Sequence, residues 1–389
     1  MKQPIYFDNA ATTALCEEAL TEMLPYLQQH YGNPSSIHRF GRVTRAAIER
    51  ARKTVATVLN CAPSEIFFTG SGTESNNTVL KCAVDYLGVK RIITSAAEHP
   101  CVVNCALFLQ EKGTEVDWVK LDAFGRPVLT HLQELLQKNT KPTLVSLMHS
   151  NNEIGTLTDI ASVGELCAEH GALFHTDTVQ TIGYYPIDLQ QTKAHFLSGS
   201  AHKFHGPKGI GFLFIRSGTL SAPFLHGGSQ ERNMRAGTEN VAGIVGMAKA
   251  LELAVNNMDA NRKHIYDIKK YAIQRLTETI PGISFNGDIS EQGGHYKVLN
   301  VLFPVHPKAE LLLFNLDMAG IAASGGSACS SGSEKVSHVL QAIGADPTRK
   351  AVRFSFCKYN TLSEIDVLIA ELQHLLAPAP DVSAIHPNA

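Results

Sequence analysis

The stretch SGSAHKFHGPKGIGFLFIR, residues 198–216 of a 389-residue chain, sets Lys203 between two histidines, ahead of a glycine-rich turn and an apolar strand. A surface lysine seldom keeps such company. An amine meant to act as a nucleophile must be held close to its reaction partner and partly desolvated. Other segments bring residues of comparable chemical weight. FFTGSGTES offers Ser71, Gly72 and Thr73 where a strand gives way to a helix, AEHP presents His99, and LMHSNNEIG presents Asn151. LFHTDTVQ presents Asp177 and Gln180, and Ser200 and His202 stand beside the lysine itself.

A helix N-terminus has free N–H groups and the positive end of the helix dipole, so Ser71–Thr73 make an anion site suited to a phosphate. Singly, each residue has an ordinary structural reading: Asp177 as a helix cap, His99 as an edge histidine with its hydrogen bonds met, Gly-Thr as a plain cap. Jointly they form a pattern. A phosphate cradle, an imidazole, an amide, a carboxylate after a strand and a lysine 26 residues further on match the needs of pyridoxal phosphate. That cofactor requires a lysine to condense with its aldehyde, an acid to keep the pyridine nitrogen protonated, and a phosphate site.

These residues need elements to hold them. From about residue 45 to 260 helical spacing, as in TRAAIERARKTVATVLN, alternates with short apolar runs such as EIFFTG, RIITSA, PTLVSLMHS and ALFHTD. Such alternation predicts an α/β fold with a mostly parallel sheet covered on both faces, and ligands bind outside the carboxyl ends of its strands. Residues 240–280 read as helical almost throughout. The pattern then changes to a smaller α+β unit with strands KVLNVLFP and AVRFSF. The expected division is a large cofactor-binding domain over 15–260 and a small domain built from 1–14 and 261–377. The Pro/Ala-rich tail 378–389 reads as disordered.

Composition excludes several classes. Apolar residues make up 44 % and charged residues 18 %, and the net charge of −2 gives no footprint for nucleic acid or an acidic membrane. The N-terminus has no signal-like apolar core and no run approaches a bilayer span, so a cytoplasmic protein is expected. Eight cysteines are too sparse for a disulfide framework in a chain this long. Most sit in apolar contexts. Cys329 differs, lying in ASGGSACSSGSEK among glycines and serines with little apolar surface to bury it.

The segments YFDNAATT, YGNPSSIH, GTESNN, AEHP, NNEIG, HTDTVQ, SAHKFHGPKGIG, GGSQERNMRAGTENV, SGGSACSSGS and RFSF follow one another in an order that resembles the cysteine desulfurases of the NifS/IscS type. The resemblance spans roughly residues 4 to 375. It implies a pyridoxal-phosphate transferase of fold type I, aspartate aminotransferase-like, in the class V aminotransferase group. Lys203 would carry the cofactor and move the Cα proton, while His99 would stack on the ring and assist proton transfer. Asp177 would pair with the pyridine nitrogen, with Gln180 and Asn151 near the ring oxygen. Gly72, Thr73, Ser200 and His202 would hold the phosphate, joined by Thr238 of the partner subunit in a homodimer. Asn33 and Arg353 would bind the carboxylate of L-cysteine, and Cys329 would accept its sulfur. Ala201 stands where many members have glycine, and Cys357 reads as incidental.

Pyridoxal phosphate alone does not specify a reaction; the thiol of Cys329 does. A desulfurase would yield alanine and a persulfide, passing sulfur to an iron–sulfur scaffold or another acceptor protein, and Cys329 would transiently touch a cluster. The alternatives are a selenocysteine lyase or another class V aminotransferase or lyase with Cys329 idle. A zinc or sulfur-carrier reading of His99, Cys101 and Cys105 lacks a fourth ligand and paired Cys-x-x-Cys spacing.

Overall fold

The apolar runs pair into one large sheet, preceded by strand β1 (Ile5–Tyr6) and helices α1 (Glu17–Gln28) and α2 (Arg39–Leu59). The computed structural model describes residues 4–138, 140–220, 222–325 and 337–377. From residue 66 the chain runs β2 (Ile66–Thr69), α3 (Gly72–Tyr86), β3 (Arg91–Ser95), α4 (Pro100–Glu111) and β4 (Glu115–Val119). It continues through α5 (Leu129–Lys138), β5 (Thr143–Ser146), α6 (Ile160–Glu169), β6 (Leu173–Asp177), β7 (Phe196–Ser200) and β8 (Gly211–Ile215). The seven strands lie in the order β2-β8-β7-β6-β5-β3-β4.

Strands β3 to β7 are parallel to their neighbours, and β8 alone is reversed, antiparallel to both β7 and β2. The connection explains the reversal. Ser200 pairs with Gly211, and the residues between them are too few for a parallel crossover, which takes a dozen or more. The carboxyl ends of β2, β3, β5, β6 and β7 therefore open on one edge. Every residue of β2, β3, β5, β7 and β8 is buried, which is why these strands read as continuous apolar runs.

A polar ladder crosses the middle of the sheet just beneath that edge. Ser146 Oγ bonds His175 Nδ1 at 2.8 Å, and His175 Nε2 bonds Ser198 Oγ at 3.1 Å. Thr94 Oγ1 donates to the Ser146 carbonyl at 2.9 Å. Strands β3, β5, β6 and β7 are thus pinned in register by side chains as well as by backbone.

Residues 240–280 form two helices, α7 (Val241–Asn256) and α8 (Met258–Thr279), rather than one. Asn257 makes the break: its amide Nδ2 donates to the Leu253 carbonyl at 2.9 Å, and its own carbonyl accepts from Asn261 N. α7 is buried under α1 and α2. Beyond it lie β9 (Ser284–Asn286), β10 (Val298–Leu302), α9 (Leu312–Met318), β11 (Ile321–Ala322), α10 (His338–Ala342), β12 (Ala351–Ser355) and α11 (Leu362–Leu375). β12, β10 and β9 form an antiparallel sheet. β1 pairs in parallel with β11, so the N-terminal strand lies with the C-terminal elements. Residues 378–389, read as a disordered tail, and Cys329 lie outside the described residues.

Burial holds several histidines neutral. His149 and His205 are pushed down to about 4 and His175 to about 3, in each case chiefly by desolvation. Their folded values lie below the ordinary 6.5, so the unfolded chain takes up protons first as pH falls. Stability should be full above about pH 6.5 and be lost progressively as pH falls towards about 3. Thermal melts across that range should show a falling Tm with proton uptake on unfolding. A flat Tm would mean that these rings are hydrated.

Candidate active site

The strand ends converge on one cleft of about 240 Å3. Lys203 closes the short turn Ala201–Lys203 that follows β7. The Phe204 and Gly206 N–H groups both bond the Ala201 carbonyl, and a Cβ on Gly206 would stand 2.8 Å from Ala201 Cβ. Glycine at 206 makes room for alanine at 201. Lys203 Nζ donates to the carbonyls of Ala10 and Ala11, both at 2.7 Å, so the segment after β1 is folded over the lysine. Thr13 N and Oγ1 bond the His202 carbonyl, and Tyr184 Oη donates to the Lys203 carbonyl at 2.8 Å.

Asp177 ends β6 and is 5 % exposed. Its Oδ1 accepts from Val179 N at 2.9 Å and its Oδ2 from Asn76 Nδ2 at 2.6 Å. Asn76 lies one turn along α3 from Gly72, on the same face, and its Nδ2 also lies 3.2 Å from Cys101 Sγ. At the start of α3, Ser71 Oγ accepts from Glu74 N, leaving the N–H groups of Gly72 and Thr73 at the open helix end. A Cβ on Gly72 would stand 2.6 Å from Val179 Cγ2, so this approach admits only glycine.

His99 caps α4. Its Nδ1 accepts from Cys101 N at 3.2 Å and lies 3.0 Å from Cys101 Sγ. Burial lowers its pKa, against the pull of the Asp177 charge. The ring is therefore neutral at neutral pH, with its proton on Nε2 because Nδ1 accepts. His202 Nδ1 meets Thr12 Oγ1 at 3.2 Å, and burial with the adjacent Lys203 charge pushes it down to about 4. Arg353, in β12, donates from Nη1 to the Asn152 carbonyl at 2.8 Å and from Nη2 to Asp8 Oδ1 at 2.7 Å.

Of the residues expected from sequence, Gly72, Thr73, His99, Asp177, Gln180, Ser200, His202, Lys203 and Arg353 line this one cleft. Asn151 does not. Its Nδ2 donates to the Ala97 carbonyl, and its Oδ1 accepts from Glu153 N and Ile154 N, so its amide organises the turn after β5. The neighbouring Asn152 lines the cleft instead. Asn33 is exposed and is not among the residues lining the cleft, its Oδ1 accepting from Ser35 N. Thr238 is exposed on a separate recess beside Gly70 and Arg235. The sequence reading missed Asn76, Cys101 and Asn152, of which Asn76 was detectable from its helical spacing to Gly72.

Pyridoxal phosphate fits the residues present. Asn76 Oδ1, Asn152 Oδ1, Gln180 Oε1 and Arg353 Nε are buried without partners among the described residues, and all four side chains line the cleft. Each such orphan costs about 1–3 kcal/mol unless something polar meets it. A carboxylate for a pyridinium, an amine for an aldehyde and an open helix end for a phosphate complete the set.

Comparison with known proteins gives the same direction. The model of the aminotransferase class-V family matches residues 5–368. A curated protein of Dictyoglomus turgidum, cysteine desulfurase IscS, is 41 % identical over 98 % of this chain and 97 % of its own. Among solved structures, a NifS-like protein superposes with a TM-score of 0.89 at 36 % identity, covering 96 % of this chain and 99 % of that one. A structure described as SspA in complex with cysteine has a TM-score of 0.80 at 32 % identity, covering 92 % of this chain and all of that one.

The two asparagines should separate in a titration. Asn152→Ala should weaken binding of pyridoxal phosphate with little change in Tm. Asn151→Ala, which removes three buried hydrogen bonds, should lower stability by roughly 2–4 kcal/mol. The reverse pattern would return Asn151 to the cofactor.

Proposed function

The chain belongs to the class-V aminotransferase family, as a cysteine desulfurase, and from that premise we propose how its residues divide the work. The observation that carries the reading is the convergence of Lys203, Asp177, His99 and the N-terminus of α3 on one cleft. Bound pyridoxal phosphate supplies an electron sink that labilises the substrate's Cα proton. The N–H groups of Gly72 and Thr73, with Ser200 and His202, hold the phosphate. Asp177, fixed by Asn76 and by Val179 N, keeps a proton on the pyridine nitrogen.

Lys203 Nζ anchors the cofactor and then takes the Cα proton, within a pocket drained of water by the Ala10–Thr13 segment. His99 Nε2 faces this chemistry as a proton donor. Arg353 meets the α-carboxylate of L-cysteine through its unpartnered Nε. Cys329 attacks the substrate's sulfur: a Cys329 S–S bond forms, the C–S bond breaks, and cysteine leaves as alanine once a proton replaces sulfur. In sequence Cys329 lies between Ser324 and Ser337, both of which are held by hydrogen bonds. Ser324 exchanges backbone hydrogen bonds with Arg353, and Ser337 bonds the buried carboxylate of Glu153.

The sulfur then passes to an acceptor protein, an iron–sulfur scaffold or another carrier. A reducing cytoplasmic setting is supported by the seven described cysteines, none of which is paired. Among the described residues no helix is long and apolar enough to cross a membrane.

The working unit is a homodimer. Its support is a set of exposed apolar side chains at the end of α1 (Leu27), in the connection to α2 (Tyr31, 76 % exposed, and Ile37, 87 % exposed) and at the start of α2 (Phe40), which meet water in one copy. A second copy covers these side chains and brings Thr238 of the partner subunit to the phosphate.

Cys329→Ala should still bind pyridoxal phosphate and still change its absorbance on addition of L-cysteine, yet release almost no sulfur. Wild-type protein after substrate should carry one extra sulfur on the peptide containing Cys329. Normal desulfuration by Cys329→Ala would hand the function to a lyase or aminotransferase with an idle loop thiol. Light scattering should give a particle of two 42.2 kDa chains, and Ile37→Glu should dissociate it. A fully active monomer would contradict the dimer.

A further inference from the structure

β2 is an edge strand, so the outer N–H of Phe68 and carbonyl of Ile66 have no neighbouring strand to bond. Arg52 and Glu231 stand in for that strand. Glu231 Oε2 accepts from Phe68 N at 2.8 Å, and Arg52 Nη1 donates to the Ile66 carbonyl at 2.7 Å. The two side chains close on each other in a two-pronged pair, Nη1 to Oε2 and Nη2 to Oε1, both 2.7 Å. Both are 3 % exposed.

Glu231 is the first of three consecutive non-glycine residues in the left-handed region. Glu231, Arg232 and Asn233 have φ of 45°, 57° and 64°. Side chains disfavour that conformation, and it persists only where the surroundings over-determine it. The buried pair is the determinant here, since it fixes the first residue of the turn to the sheet edge. The chain then runs to Arg235, whose Nε bonds Glu74 in the first turn of α3 at 2.9 Å. Glu74 also accepts from Gly70 N at 2.9 Å, directly before the Ser71–Thr73 cradle. Three residues on, Thr238 emerges exposed.

We propose that Arg52 and Glu231 are positioning residues for cofactor binding across the dimer: their pair winds the 231–233 turn and so aims Thr238 at the phosphate site of the partner subunit. This rests on the reading of Thr238 given above. The pair touches neither substrate nor cofactor, and acts through the direction in which the chain leaves the sheet edge.

Full-length protein stripped of cofactor can be titrated with pyridoxal phosphate and, in parallel, with pyridoxal, which lacks the phosphate. Glu231→Gln should raise the Kd for pyridoxal phosphate by ~10- to 100-fold, the equivalent of a charge-assisted hydrogen bond, and leave that for pyridoxal within about twofold. Because that variant strands Arg52 and endangers folding, exposed Asn233 gives a second route. Asn233→Val, which resists positive φ, should reproduce the loss, whereas Asn233→Gly should keep wild-type affinity. Thr238→Ala combined with Asn233→Val should bind no worse than Thr238→Ala alone.

Wild-type affinity in Glu231→Gln and Asn233→Val, with a loss in Thr238→Ala, would overturn this proposal alone. Wild-type affinity in Thr238→Ala would overturn the reading of Thr238 and the proposal with it. Equal losses for pyridoxal and its phosphate would reduce the pair to a structural staple.

Discussion

A guanidinium that is 1 % exposed must find acceptors inside the protein, and Arg353 draws them from parts of the chain far apart in sequence. Asp8 comes from the segment after β1 and the Asn152 carbonyl from the turn after β5, while the backbone of Arg353, rather than its guanidinium, exchanges hydrogen bonds with Ser324 just beyond β11. The arginine itself sits on β12. One buried cation thus gathers the N-terminal segment, a strand-end turn and the C-terminal sheet around one opening. Its Nε has no partner among the described residues. The geometry of the cleft follows from this gathering, because the Ala10–Thr13 segment that covers Lys203 begins two residues after Asp8.

The cleft also holds a thiol unsuited to sulfur chemistry. Cys101 is pushed up to about 12 by burial and by the charge of Asp177. Cys61, Cys82 and Cys167 are raised to about 12 and Cys105 to about 11, each chiefly by burial. A thiol of that kind is almost wholly protonated at neutral pH and a poor nucleophile. Cys101 lines the site beside His99 and Asn76 without competing for the substrate's sulfur. A thiol nucleophile has to come from a more hydrated setting than that of Cys101.

Much of the site was legible because it is built at strand ends, where a short apolar run stops and a polar motif begins. Lys203, Asp177, His99, Gly72 and Thr73 each follow such a boundary, and the parallel sheet brings the boundaries together. The reading failed where spacing alone cannot choose. Asn151 and Asn152 are adjacent in a tight turn, and only the hydrogen bonds of the folded turn decide which amide faces inward. Asn33 sat in a motif and yet is not among the residues that line the cleft in one copy. Asn257 breaks a long helical pattern by bonding back to Leu253, an effect that periodicity averages away. The reversal of β8 was not anticipated either, though the short connection from Ser200 to Gly211 dictates it.

The pairing of Arg52 and Glu231 along β2 has a consequence for how the molecule behaves in a crowded solution. An open sheet presents two rims of unpaired backbone groups, each a template on which another chain could add a strand. On the β2 rim the Phe68 N–H and Ile66 carbonyl are already taken by side chains. On the opposite rim β4 carries Glu115 and Asp117, which pair with Lys141 and Arg91 and place charge along the strand. Neither rim therefore invites strand-by-strand growth into aggregates.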